Sequence, residues 1–224
     1  VHGALSGVFS ATGQTCVAGS RLLLQESIHD EFLQRIVDIT KGAKIGDPAD
    51  PKSQIGPITT KPQFDKVMRY IDIARQDGAR CVAGGHALSG PGYGAGQFVE
   101  PTIFAGVTND MRIAQEEVFG PVLSVLKFRD EEDAVRIAND IRFGLAAAVW
   151  TQSLHRAMFM TERLRAGTVW VNNYRSSSYT SPFGGFKDSG VGREGGIEAV
   201  REYMEPKSVW ISTDLKMANP FGAK

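Results

Sequence analysis

Residues 20–41 read SRLLLQESIHDEFLQRIVDITK, and this stretch decides the architecture. Ser20–Gln25 holds the apolar run Leu22-Leu23-Leu24, which has the length of a strand. Directly after it, Ile28, Phe32, Ile36 and Ile39 recur at helical spacing and predict an amphipathic helix over 28–43. A strand handed straight to a helix is the building unit of an α/β fold.

The same alternation continues outward. Helices are expected at 4–12, 62–77, 130–141 and 154–164, and strands at 80–83, 98–104, 122–128, 145–150 and 168–171. Gly78 follows the second long helix as a stop residue, and the acidic start of 130–141 suits a helix N-terminus. Residues 46–60, 84–96 and 175–195 read as loops, rich in Gly, Pro or Ser. A short helix is expected at 197–203 and a last strand at Ser208–Ser212. The expected class is α/β, a parallel open sheet with flanking helices, plus that C-terminal strand.

Composition narrows the function. The chain has 224 residues, 42% of them hydrophobic, with 25 basic and 25 acidic side chains. A net charge of zero gives no basic surface for nucleic acid and no polybasic membrane patch. No apolar run nears the roughly 20 residues of a membrane helix. Two cysteines make a disulfide scaffold unexpected and suit a reducing compartment, so a cytoplasmic location is expected. The chain opens Val1-His2-Gly3-Ala4, without Met and directly in a helix, which suggests the C-terminal part of a longer protein.

The tetrapeptide Cys-Val-Ala-Gly occurs twice, at 16–19 and at 81–84. A lone cysteine is by default a small buried hydrophobe. Cys81 sits in a plain strand context and fits that default. Cys16 follows a Gly-Gln-Thr step in a polar turn, where a thiolate can be exposed and reactive. At Glu116-Glu117-Val118-Phe119-Gly120-Pro121, the plain reading is an exposed acidic turn before a strand. The functional reading is a carboxylate that accepts both hydroxyls of a ribose, with Phe119 as an apolar wall for a flat ring. Gly190-Val-Gly192-Arg-Glu-Gly195 matches a dinucleotide fingerprint formally, but it opens no βαβ unit and reads as a tight loop. His2, His29, His86 and His155 have no metal-ligand spacing, and no metal is expected. A thiol hydrolase pairing Cys16 with His155 stays open on residues alone.

Taken in order, Gly13–Arg21, Glu116–Pro121, Gly167–Asn172 and Ser181–Gly190 make the chain resemble the aldehyde dehydrogenase superfamily, nearly end to end. The resemblance implies NAD(P)+-dependent oxidation of an aldehyde. It makes Cys16 the nucleophile, passing through a thiohemiacetal and a thioester, with the Cys16 backbone N–H donating to the oxyanion. Glu117 would hold the nicotinamide ribose and Phe119 would lie beside the ring. Gln63 and Lys66 would lie near the adenosine ribose. Thr15, Val17 and Phe183 would line the aldehyde pocket. Arg175 would stand at its mouth, either facing water or meeting a substrate carboxylate or polar ring, which would favour semialdehydes or polar aromatic aldehydes over long alkanals. The family's general-base Glu, its oxyanion Asn and its dinucleotide-gripping domain would lie before this segment. Residues 1–203 would then be the catalytic domain and 204–224 the oligomerisation strand and tail, forming a homodimer or homotetramer, with Arg193 and Glu205 near the subunit contact. Two other readings remain: a non-catalytic fragment that assembles through its last strand, and the thiol hydrolase.

Overall fold

The structure is a computed structural model that describes residues 1–214 and 220–222. Parts of the tail expected over 204–224, at 215–219 and 223–224, lie outside the described residues.

In chain order, α1 (His2–Phe9) runs into a 3-10 turn at Ser10–Gly13, and β1 (Arg21–Gln25) passes directly into α2 (Glu26–Lys41). Next come α3 (Lys61–Gln76), β2 (Arg80–Ala83), the short β3 (Ala87–Leu88) and β4 (Phe98–Val99), and β5 (Thr102–Ala105). One helical turn, α4 (Arg112–Gln115), precedes β6 (Val122–Phe128) and α5 (Glu131–Asn139). The chain closes with β7 (Phe143–Gly144), β8 (Ala146–Val149), α6 (Leu154–Arg163), β9 (Thr168–Val171), β10 (Phe186–Lys187) and a 3-10 segment at Ile197–Tyr203.

The main sheet has four strands in the order β1-β6-β5-β2. β1 and β5 both pair parallel with β6, in the registers Arg21↔Ser124 and Thr102↔Val122. β2 lies antiparallel on β5, Arg80 opposite Ala105, so the sheet is parallel with one antiparallel edge. β6 is covered on both faces, as central parallel strands are. Val122 and Leu126 join Val67, Ile71 and Phe104 on one face, while Leu123 and Val125 join Val8, Leu33 and Ile36 on the other. A second, smaller parallel pair, β8 and β9, is joined through α6.

Four expectations need adjustment. The strand expected over 98–104 is two strands, because Pro101 cannot donate to a ladder and the chain turns there. Cys81 is half-buried rather than buried. The buried face of α2 is His29, Leu33, Ile36, Val37 and Thr40, whereas Ile28 and Ile39 are exposed. The two polar members of that face are tolerated because Thr40 Oγ1 donates to Ile36 O at 2.6 Å and His29 Nδ1 pairs with Asp30 at 2.6 Å. Finally, Ser208–Ser212 forms no strand within the chain. It finds no neighbouring backbone among the described residues, and a strand exists only as one half of a ladder.

Candidate active site

The site begins where α1 ends. Ala11, Thr12 and Gly13 have φ of 52°, 56° and 69°, so three successive residues turn left-handed and throw the chain back over the sheet. Non-glycine residues in that region are strained and persist only where their surroundings hold them. Here Thr12 Oγ1 donates to Gly56 O at 3.3 Å. Gln14 donates to Pro57 O at 3.3 Å and accepts from the Thr59 backbone N–H at 2.9 Å. Gly13 is required twice over: its φ is positive, and a Cβ would collide with the Gly120 carbonyl. The turn is thereby pressed against the Glu116–Pro121 loop.

The Ala18 N–H donates to Thr15 O at 3.0 Å and closes a turn around Cys16. Cys16 is exposed and free. Among the described residues its backbone N–H has no acceptor. A donor left open beside a thiol is the arrangement an oxyanion needs.

Across the contact, Phe119 has φ 57° and is half-buried. The two adjacent glutamates are not equivalent. Tyr70 Oη donates to the Glu116 carboxylate, and burial with this bond raises the Tyr70 phenol above its ordinary value. Glu117 is exposed and has no side-chain partner among the described residues. A cleft of about 750 Å3 is bordered by β1 along its length and by Leu145–Trp150 facing it, and Thr15, Cys16, Val17, Glu117 and Phe119 all open onto it. Its size is that of a small-molecule site.

The remaining candidates sit elsewhere. Gln63 Nε2 donates to Val118 O at 2.8 Å and to Phe119 O at 2.9 Å, so its amide faces the loop. The Lys66 ammonium lies 5.9 Å from the centre of the Tyr70 ring. Phe183 does not border the cleft, and its backbone exchanges hydrogen bonds with Glu194 at 2.6 and 2.7 Å. Arg175, with φ 64°, points inward: Nη2 donates to Thr15 Oγ1 at 2.8 Å and to Gly7 O at 3.1 Å. His155 is exposed on α6, and no histidine borders the cleft. Nothing in the cleft therefore favours the thiol hydrolase. Arg193 Nη1 donates to Gly185 O at 3.0 Å and to Gly192 O at 2.6 Å, which holds it inside its own loop.

Sequence reasoning missed Tyr174. Its hydroxyl donates to Val17 O at 2.7 Å, and burial raises its phenol above the ordinary value, keeping it a donor. Its ring packs against Trp170 at 5.0 Å between centres, and Trp170 Nε1 donates to Ser176 O at 2.8 Å. The only signal in the sequence was its place beside Arg175.

Residues 1–209 match the model of the aldehyde dehydrogenase family. A betaine aldehyde dehydrogenase from Mesorhizobium japonicum is 48% identical over 221 residues, covering 99% of this chain and 45% of its own length. Among solved structures, a Staphylococcus aureus betaine aldehyde dehydrogenase in complex with NAD+ superposes with a TM-score of 0.93 at 38% identity, over 99% of this chain and 44% of its own. A P. syringae indole-3-acetaldehyde dehydrogenase with NAD+ and IAA gives a TM-score of 0.87 at 48% identity, over 93% of this chain and 42% of its own. The chain spans under half the length of these relatives, yet the match runs through the turn at Cys16, the Glu117 loop and the Arg175 loop alike: it belongs to the aldehyde dehydrogenase family.

Proposed function

We propose that this chain carries the nucleophile and the nicotinamide-side contacts of an NAD(P)+-dependent aldehyde dehydrogenase. The observation that carries the reading is one cleft onto which an exposed thiol, an unpaired carboxylate and a half-buried aromatic ring all open. The donor set fits the nicotinamide half of a dinucleotide. Glu117 offers two oxygens to ribose hydroxyls and Phe119 offers a flat apolar face. When bound, the nicotinamide supplies a hydride acceptor.

The chain's own residues supply the attacking thiol and one oxyanion donor. The Cys16 thiolate attacks the aldehyde carbonyl carbon, and the new oxyanion lies toward the Cys16 N–H. With that acceptor in place the adduct would give up its hydride to it, leaving a thioester on Cys16 that water would cleave to the carboxylic acid and the free thiol. A single oxyanion donor of this kind contributes about 3–4 kcal/mol. Gln63 acts at a distance from the chemistry, by holding the Phe119 loop, while Lys66 and Phe183 lie away from the cleft. A cytoplasmic setting agrees with two free cysteines, and no helix among the described residues is long and apolar enough to cross a membrane.

A second reading has its own observation. Val209, Trp210 and Ile211 are 69%, 93% and 85% exposed in an extended segment. An exposed apolar segment with no backbone partner is a template for pairing. Assembly of two or four copies through 208–212 follows from it.

The test of the main reading is peptide mapping after brief iodoacetamide treatment. Cys16 should be labelled faster than Cys81, whose Sγ is turned to Ala83 O and Gly84 O at 3.4 and 3.6 Å. Preferential labelling of Cys81 would remove Cys16 as the nucleophile. In a form of the protein that produces NADH from an aldehyde, Cys16→Ser should abolish turnover and leave cofactor binding largely intact.

A further inference from the structure

Two neighbouring residues grip the turn on either side of Cys16. Tyr174 Oη donates to the carbonyl of Val17, and Arg175 Nη2 donates to the hydroxyl of Thr15. Nη2 also reaches Gly7 O, the acceptor of the Gly19 N–H at 2.9 Å. The end of α1, residue 15 and residue 19 are thus tied together around the thiol. The Tyr174 ring lies against Gly7, where a Cβ would approach it at 3.3 Å. The gripping loop is itself fixed to β9, through the Trp170 ring and the Trp170 Nε1 bond to Ser176 O.

We propose that Tyr174 and Arg175 are positioning residues, whose hydrogen bonds to residues 15 and 17 hold the Cys16 thiol and backbone N–H in their reactive placement. The functional half of this inference rests on Cys16 being the nucleophile. It also reassigns Arg175. Both two-pronged edges of a guanidinium share the nitrogen on the Nε–H side, which is Nη2. Gly7 and Thr15 occupy Nη2, and the Arg175 Nε is buried with no partner in the structure. A substrate carboxylate would have to displace the grip on Thr15 to bind two-pronged. Arg175 therefore serves the turn rather than a two-pronged contact with a substrate carboxylate.

The experiment compares the 224-residue chain with Tyr174→Phe, Arg175→Met and Arg175→Lys. Phe and Met keep most of the volume and lose the donors, whereas Lys keeps one donor. Amide exchange over residues 14–19 and the rate of Cys16 alkylation by iodoacetamide from pH 6 to 10 are measured, with Cys81 as internal reference. Exchange over 14–19 should rise by about tenfold in the Phe and Met variants and stay unchanged over β5 and β6. The limiting alkylation rate at high pH should fall about threefold or more, because presentation of the thiol changes; Lys should recover most of it. Exchange and alkylation within twofold of the parent in both donor-less variants would overturn the proposal. So would faster exchange with unmoved alkylation, the pattern of a purely structural contact. If Cys16 in the parent chain reacts no faster than Cys81, the nucleophile reading fails and takes the positioning role with it. That failure is recognisable, because the exchange result does not depend on it.

Discussion

Gln63 reaches across the fold to the backbone of Phe119, donating to its carbonyl at 2.9 Å and to that of Val118 at 2.8 Å. The bond sets the height of a loop whose aromatic residue sits at positive φ. Gln63→Ala should lower stability by about 1–2 kcal/mol, since two buried carbonyls lose their donor. A chain of this size should then melt lower by roughly 2–8 °C. Calorimetry checks the first effect, and faster amide exchange over 116–121 checks the second. An unchanged melt would mean that the Gly13–Gly120 contact alone holds the loop.

Gly13→Ala is the harsher change. Residue 13 has φ 69°, and its new methyl would meet the carbonyl of Gly120. Strain and overpacking together predict a loss of about 3 kcal/mol or more. Circular dichroism melts should show it, and Gly56→Ala serves as a milder control, since a Cβ there approaches Pro48 only to 3.3 Å. Equal losses at the two positions would sink the claim of an enforced contact.

Asp133 gives a prediction in pH. It is 8% exposed and accepts from Arg136 Nη2 at 2.7 Å and from the Arg129 N–H at 3.1 Å. The Arg136 bond, then the Arg129 N–H, hold its carboxyl below the ordinary value. A depressed carboxylate stabilises the fold above its unfolded value of about 3.9 and loses that contribution as pH falls through the folded value. Asp133→Asn should therefore cost about 1–2 kcal/mol at pH 7, and the gap from the parent should begin to narrow as pH falls below about 4. Melts from pH 7 down through the acid range decide it; a gap that does not narrow with falling pH contradicts the linkage.

Trp210→Glu tests assembly. At 93% exposure the indole's bond among the described residues is a local one, Nε1 donating to Ser208 Oγ at 3.0 Å, so the substitution should leave the melt of a monomer nearly unchanged. It should shift sedimentation from an oligomer to a monomer at micromolar concentration. A parent chain that already sediments as a monomer removes this reading.

What was legible in the sequence follows from range. The β1–α2 unit could be read because its apolar spacing is local. The Cys16 turn stood out because a polar Gly-Gln-Thr step is a local signal too, and Glu117 with Phe119 came from a short motif. The antiparallel setting of β2 was hidden, since pairing direction is decided by the β3–β4 excursion before β5. The burial of α2 was misjudged by a fraction of a turn, because Ile28 and Phe32 border the cleft while His29 and Thr40 take buried places with local bonds. Ser208–Ser212 is unpaired among the described residues because the backbone expected to pair with it belongs to a second copy. Tyr174 was invisible because its acceptor lies 157 residues away.

The repeated Cys-Val-Ala-Gly carries a lesson about where chemical identity is written. One copy presents its sulfur openly in a turn; the other tucks it toward the carbonyls that follow. The four letters are the same, so they hold no information about which cysteine reacts. On the proposal above, that instruction is spread over Gly13, Gln14, Tyr174 and Arg175, the last two remote in the chain. Grafting the tetrapeptide into another protein would transfer the spelling and leave the meaning behind.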